Sequence, residues 1–268
     1  MGERSGRRLA LSPPRRFICD LLHFATKVPT VPVQRRMNIA ALVAAREHAF
    51  PRPSWCSLFT KAYAMVAAAR PELRRAYLSF PWPHLYEHPS SIASIAVERR
   101  VGDEDAVLFV QIRGPEHHRA EQLDDYLKEC KERPVAEVGT FRRTLRVSRW
   151  PAPVRRFLWW IGLNVSGYRR ARNWGTFGVS VYSGLGAESL HPLSPLTTTL
   201  NYGVIADDGT VDVRLIYDHR VLDGAPVARA LAELEETLNG PLTRALLAGR
   251  RGAAARAEAV ENSEVARA

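Results

Sequence analysis

Cysteine is scarce. Only Cys19, Cys56 and Cys130 occur in 268 residues, each in unrelated surroundings. That excludes a disulfide framework and a repeated cysteine spacing of the kind a structural metal site uses, and it points to a reducing compartment, the cytoplasm. Long apolar runs are missing too: nothing reaches the about 18 uninterrupted apolar residues that suggest a membrane span. The basic opening MGERSGRRLALSPPRR is followed by Cys19-Asp20 and His23, so no clean apolar run with a small-residue cleavage site follows it, and it does not read as a secretory leader. Acid is in deficit, with Asp+Glu 28 against Lys+Arg 38 and a formal charge of +10. The excess favours an anionic partner without choosing among nucleic acid, a membrane surface and a phosphate-bearing substrate. Glycine (17) and proline (18) are too few for a collagen-like or low-complexity chain, and 46% hydrophobic residues suffice for a sizeable core in one large domain or two.

The patterned text begins near Leu21, so residues 1–20 are expected to form a basic N-terminal arm. Val28 to Val33 reads as a short extended piece, because each proline biases its predecessor away from helix. Asn38 is placed to cap a helix over 39–48, and a second helix is expected over 54–70, with Leu58, Ala62, Met65 and Val66 as its apolar stripe. Residues 91–98 and 106–112, separated by Gly102-Asp103-Glu104-Asp105, predict a hairpin. Residues 119–133 predict an amphipathic helix with acids early and bases late, as the helix dipole favours. Three strands are expected over 175–182, 197–205 and 210–217, with Asp207-Asp208-Gly209 reversing the chain between the last two, and a helix over 226–238. The Ala/Arg/Glu-rich tail, 241–268, carries too few large apolar residues to demand a place in the core.

The odd segment is 141–172, with nine arginines, no acid, and Trp150, Trp159 and Trp160. It reads as an RNA-binding patch, a membrane-surface helix, or an apolar wall with a basic mouth for a lipophilic, phosphate-bearing substrate. The plainer reading is a solvated helix with aromatics on the core and arginines reaching outward.

The residues best suited to chemistry are Tyr217-Asp218-His219-Arg220-Val221-Leu222-Asp223-Gly224-Ala225, between an expected strand and an expected helix. Such a junction can expose a histidine at a cleft, and an ordinary imidazole, pKa about 6.5, is available in its neutral form to take a proton near neutral pH. Asp223 can hold an arginine or cap the following backbone, and Gly224 permits a tight turn into the helix. Spacing alone leaves a purely structural histidine open.

DHRVLDGA resembles the HxxxDG signature of the catalytic domain of dihydrolipoamide acyltransferases of 2-oxoacid dehydrogenase complexes, and of the related chloramphenicol acetyltransferases. GTFGVSVYSGLG is similar to that family's GTFTISNLG region, and LHPLSPLTTTLNYGVI to the proline-containing segment and strand after it. PSWCSLFTKAYAMVAAARPEL resembles a family helix, and HLYEHPSSIASIAV its next strand, so the likeness runs discontinuously over about 28–240.

The resemblance implies an α/β chloramphenicol acetyltransferase-like fold, a mixed central sheet with flanking helices, over 21–240, with 141–172 as an insert. It also implies a homotrimer whose active sites lie between subunits and a channel admitting coenzyme A, with acyl-CoA as substrate and no metal. On this basis His219 is the catalytic base, Asp223 and Gly224 are structural motif residues, and Ser180 stabilises the oxyanion, with Ser183 as its rival. No acyl-enzyme is needed, so Cys56 and Cys130 are read as apolar helix residues.

Because no lipoyl or subunit-binding domain accompanies the motif, a stand-alone CoA-dependent acyltransferase acting on a thiol or hydroxyl acceptor is expected. The insert suggests a lipophilic or carrier-bound acceptor, and its arginines can attract CoA phosphates. The competing reading is a catalytically reduced trimeric scaffold or membrane-edge protein that uses 141–172 for peripheral membrane contact. RNA binding ranks last.

Overall fold

The computed structural model describes residues 6–249. The chain opens with helix α1 (Pro13–Ala25), strand β1 (Thr30–Asn38) and helices α2 (Ala40–Glu47) and α3 (Trp55–Ala69). A ribbon of β2 (Arg75–Leu78) and β3 (His84–Glu87) leads to the hairpin of β4 (Ile92–Val101) and β5 (Glu104–Arg113). Four helices follow: α4 (Ala120–Glu132), α5 (Gly139–Val147), α6 (Ala152–Asn164) and α7 (Gly167–Trp174). Strands β6 (Phe177–Val179), β7 (Thr198–Tyr202) and β8 (Thr210–Asp218) and helix α8 (Gly224–Thr237) complete the order.

Six strands form one mixed sheet, ordered β1-β8-β7-β6-β4-β5, and β2 and β3 pair separately. β4, β6 and β7 run parallel at the centre, while β1, β8 and β5 pair antiparallel with their neighbours. The mixed sheet with flanking helices is therefore the architecture expected. Period-two alternation sorts its faces. Ile95, Val110, Val179, Leu200, Leu215 and Tyr217 are buried in the main core beneath α3 and α8. The alternate positions Ser94, Thr199, Asn201 and Arg214 make a buried polar layer. Arg214 is satisfied there by Gln34 at 2.7 Å and Glu188 at 2.9 Å.

Local chemistry explains the expected elements. Ser54 caps α3 through the Ser57 amide, and Asn38 accepts from the Ala40 amide at 3.0 Å before α2. The hairpin closes at Gly102, whose φ of 62° lies in the left-handed region that glycine enters without penalty.

Two boundaries differ from expectation. Helix begins at Pro13, inside the segment read as an arm over 1–20, because Phe17, Leu21 and Phe24 recur on one face and pack with Trp159 and Leu163 of α6. The charges of Arg15 and Arg16 obscure that stripe in the sequence. In the tail, Leu242 and Leu246 join the main core and the chain is helical to 249. Two leucines one turn apart are enough to dock it, whatever the surrounding composition. The rest of 241–268, from 250 onward, lies outside the described residues.

Candidate active site

His219 stands one residue past the end of β8, where the chain turns into α8. Its amide donates to Pro29 O at 3.0 Å, which ties it to the start of β1. Asp218, just before it, is fully buried and accepts from the Arg220 amide at 3.0 Å, Nε at 2.9 Å and Nη2 at 2.7 Å. The Arg220 guanidinium also lies 4.3 Å over the Tyr77 ring. Beneath, Arg170 donates to the carbonyls of Tyr77 at 2.7 Å, Leu163 at 3.1 Å and Pro195 at 2.7 Å. Burial pushes the Arg170 guanidinium down to about 10, and the nearby Asp218 charge works in the opposite direction. Arg220 thus holds the buried acid at the strand end that carries His219, and Arg170 ties the surrounding backbone together within reach of its charge.

The imidazole itself is half-exposed at 50%, and its Nδ1 lies 3.5 Å from Asp223 Oδ1. That distance is too long for a good hydrogen bond. The Asp223 side chain is 83% exposed and forms no side-chain cap on α8. It therefore does neither of the jobs read for it from the local sequence: the acid that holds an arginine is Asp218. Gly224 is also less constrained than expected. Its φ is not positive, and a Cβ there would meet only Tyr217 Oη at 3.6 Å, so the turn does not require glycine.

Ser180 and Ser183 lie apart from His219 and from each other. Ser180 follows β6 and lines a cleft of ≈ 260 Å³ with Ser94, Thr199, Ile18, Leu21 and Phe109 on the polar face of the sheet. Ser183 borders a separate cavity of ≈ 440 Å³ with Trp55, Cys56 and Tyr202 on the core face. Register places Val179 beside Leu200 and Leu215, so Ser180 is level with Arg214, five residues from His219 and two strands away. Strand geometry makes this separation roughly 20 Å. One chain does not bring the expected base and oxyanion donor together.

Cys130 is buried, and Cys56 packs partly against the core, where desolvation pushes its thiol up to about 11. Among the described residues, no group of three or more His, Cys, Asp and Glu side chains is disposed to hold a metal ion. The segment 141–172 divides its aromatics: Trp159 is buried while Trp150 and Trp160 are exposed. Its arginines divide likewise, with Arg155 held by buried Asp20 at 2.5 Å and Arg170 placed beneath the His219 turn.

Solved structures share this arrangement of elements. A dihydrolipoamide acetyltransferase from Azotobacter vinelandii superposes with a TM-score of 0.64 at 19% identity, covering 91% of this chain and 95% of that one. The chain has the fold of dihydrolipoamide acyltransferase catalytic domains. A probable dihydrolipoamide acetyltransferase from Listeria monocytogenes gives 0.63 at 16% identity over 87% of this chain and 94% of that one. The truncated catalytic core of a 2-oxoacid dehydrogenase multienzyme complex from Thermoplasma acidophilum gives 0.63 at 16% over 88% and 99%. No family model and no curated protein sequence matches the chain. Asp218, Arg220, Arg170 and Tyr77, which build the support under His219, went unassigned in the sequence; the usable signal was an acid directly before the histidine with an arginine directly after it.

Proposed function

We propose that the chain is a stand-alone acyltransferase that moves an acyl group between a CoA thioester and a thiol or hydroxyl acceptor. The observation that carries this reading is the half-exposed His219 imidazole on a strand end held by a buried aspartate that is ion-paired to Arg220, within the acyltransferase fold. The Azotobacter vinelandii enzyme has had a serine, a histidine and an asparagine four residues beyond that histidine investigated for roles in catalysis. Here Asp223 follows His219 at the same spacing, and Ser180 lies in the segment that resembles GTFTISNLG.

Asp223 beside Nδ1 favours the tautomer with the proton on that nitrogen, leaving Nε2 as the base. The acceptor's S–H or O–H proton passes to Nε2, and the sulfur or oxygen attacks the thioester carbonyl. Ser180 Oγ donates to the oxygen on which charge develops, the carbon–sulfur bond to CoA breaks, and the imidazolium returns the proton to the departing thiolate. No bond to the protein forms. Because Ser180 and His219 of one chain are roughly 20 Å apart, the serine is supplied by a second copy, and a closed trimer places three such sites between subunits. The cleft beside Ser180, with Ile18, Leu21 and Phe109 in its wall, suits a lipophilic acceptor or acyl chain.

The test is thiol release from a panel of acyl-CoAs with dihydrolipoamide, alcohols and amines as acceptors. His219→Ala should lose at least about a hundredfold in turnover with melting and mass unchanged. Undiminished turnover in that variant contradicts the reading.

A further inference from the structure

Helix α6 shows its apolar side to solvent. Its inward stripe, Arg155, Trp159 and Leu163, is buried at four-residue spacing, and an arginine fits there because Asp20 of α1 holds it. The outward stripe is apolar: Val154, Phe157, Leu158 and Val165 are exposed, Phe157 to 59%. Trp150 precedes the helix and Trp160 lies within it beside the stripe, both exposed. Phe80, in the turn between β2 and β3, meets Trp160 edge-on at 5.9 Å, so the patch continues onto a turn where Trp82 is 70% exposed. A surface helix ordinarily buries its apolar stripe and wets its polar one, and a contiguous exposed patch of this kind marks a contact surface.

Charge selects the partner. Of the nine arginines in 141–172, Arg155 and Arg170 are consumed inside the fold. Arg142, Arg146, Arg149 and Arg169 are exposed and have no acidic partner among the described residues. Arg156 stands 3.9 Å from Asp20, whose carboxylate Arg155 already holds. Arg149 directly precedes Trp150 and Arg156 directly precedes Phe157, so cations and exposed rings alternate along the chain. A nucleic acid would answer the charge and leave Val154 and Phe157 wet. A second copy docked face to face would set arginine against arginine.

We infer that α6, with the arginines around it, docks on an anionic lipid surface. Trp150, Phe157 and Trp160 enter the boundary between headgroups and acyl chains, and Arg146, Arg149 and Arg156 sit among the lipid phosphates. Among the described residues no helix is long and apolar enough to cross a membrane, and α6 has 13 residues, so it lies in the interface plane. This contact does not depend on the acyl-transfer reading.

The experiment is co-sedimentation of the full chain with phosphatidylcholine vesicles, with and without about a third phosphatidylserine. The chain should pellet with the anionic vesicles, stay in solution with the neutral ones, and be released by high salt. Arg146→Gln/Arg149→Gln/Arg156→Gln should weaken partition roughly a hundredfold, at roughly fivefold per arginine. Trp150→Ser/Phe157→Ser should weaken it at least about tenfold, with melting temperature and oligomeric mass unchanged. Failure of the wild type to pellet, or equal retention of either variant, overturns the inference. So does a fall in oligomeric mass in the apolar variant, which would make the face a contact between copies. Retention of RNA at about 0.15 M salt without vesicle binding would assign the arginines to nucleic acid and overturn it as well.

Discussion

Asp218→Asn should be among the most damaging single substitutions in the protein even though it preserves shape. The wild-type carboxylate is fully buried and takes three hydrogen bonds from Arg220, with Arg170 close beneath. Neutralising it leaves the Arg220 guanidinium without its counter-charge and removes the nearby negative charge that favours the buried Arg170 cation. Removing one partner of a buried ion pair costs about 3–5 kcal/mol. For a chain of this size each kcal/mol lowers the melting temperature by about 2–4 °C, so the expected fall is roughly 6–20 °C. Circular-dichroism melting at matched protein concentration reads it, since assembly would shift the midpoint by mass action. Arg220→Met alone should also destabilise, and the double variant should be less damaged than the sum of the two, with a coupling of about 1–3 kcal/mol. Asp223→Asn, four residues beyond His219 and exposed, should stay within about 0.5 kcal/mol of wild type. A fall below about 2 °C for Asp218→Asn, or strict additivity in the cycle, would refute the claim that this buried acid holds the His219 turn.

Gly175→Ala should cost about 2–3 kcal/mol, because φ there is 96° and a Cβ would lie 2.9 Å from Ser94 Cβ. Gly224→Ala, which has room, should leave stability equal or slightly raised; paired denaturant titrations distinguish the two. Asp20→Asn should release Arg155 and loosen α1 from α6, seen as faster hydrogen exchange over 13–25 and 152–164 with β4 unchanged. Burial raises the thiol pKa of both Cys56 and Cys130, so thiolate is scarce at pH 8 and grows only as pH climbs toward the raised values. A disulfide reagent should therefore titrate exposed Cys19 first and reach the other two slowly until the chain is unfolded. Rapid reaction of Cys56 would contradict that.

The helices with single-sided stripes, α3, α4 and α8, and the hairpin of β4 and β5 were legible because their signals are local. Ser54, Gly102 and the apolar spacing each act within a few residues. α1 and the tail were misread because composition masks a sparse stripe of large side chains. The short ribbon of β2 and β3 and the division of the basic segment into α5, α6 and α7 depend on distant packing, such as Asp20 with Arg155 across 135 residues. His219 was singled out by its motif. The support beneath it comes from β2, α7 and β8 together, and only the folded chain assembles Tyr77, Arg170 and Asp218. The separation of Ser180 from His219 likewise follows from strand order.

The most direct test of a site shared between copies uses two inactive variants. His219→Ala and Ser180→Ala are each assayed for acyl exchange alone, then unfolded, mixed in equal amounts and refolded together. If the base and the oxyanion donor come from different copies, about a quarter of the interfaces in random mixed rings pair an intact His219 with an intact Ser180. The account predicts that the mixture regains about that fraction of wild-type turnover, well above either variant alone. Turnover no greater than the average of the two separate variants, in rings shown to have mixed, would contradict a catalytic site built from His219 of one copy and Ser180 of the next.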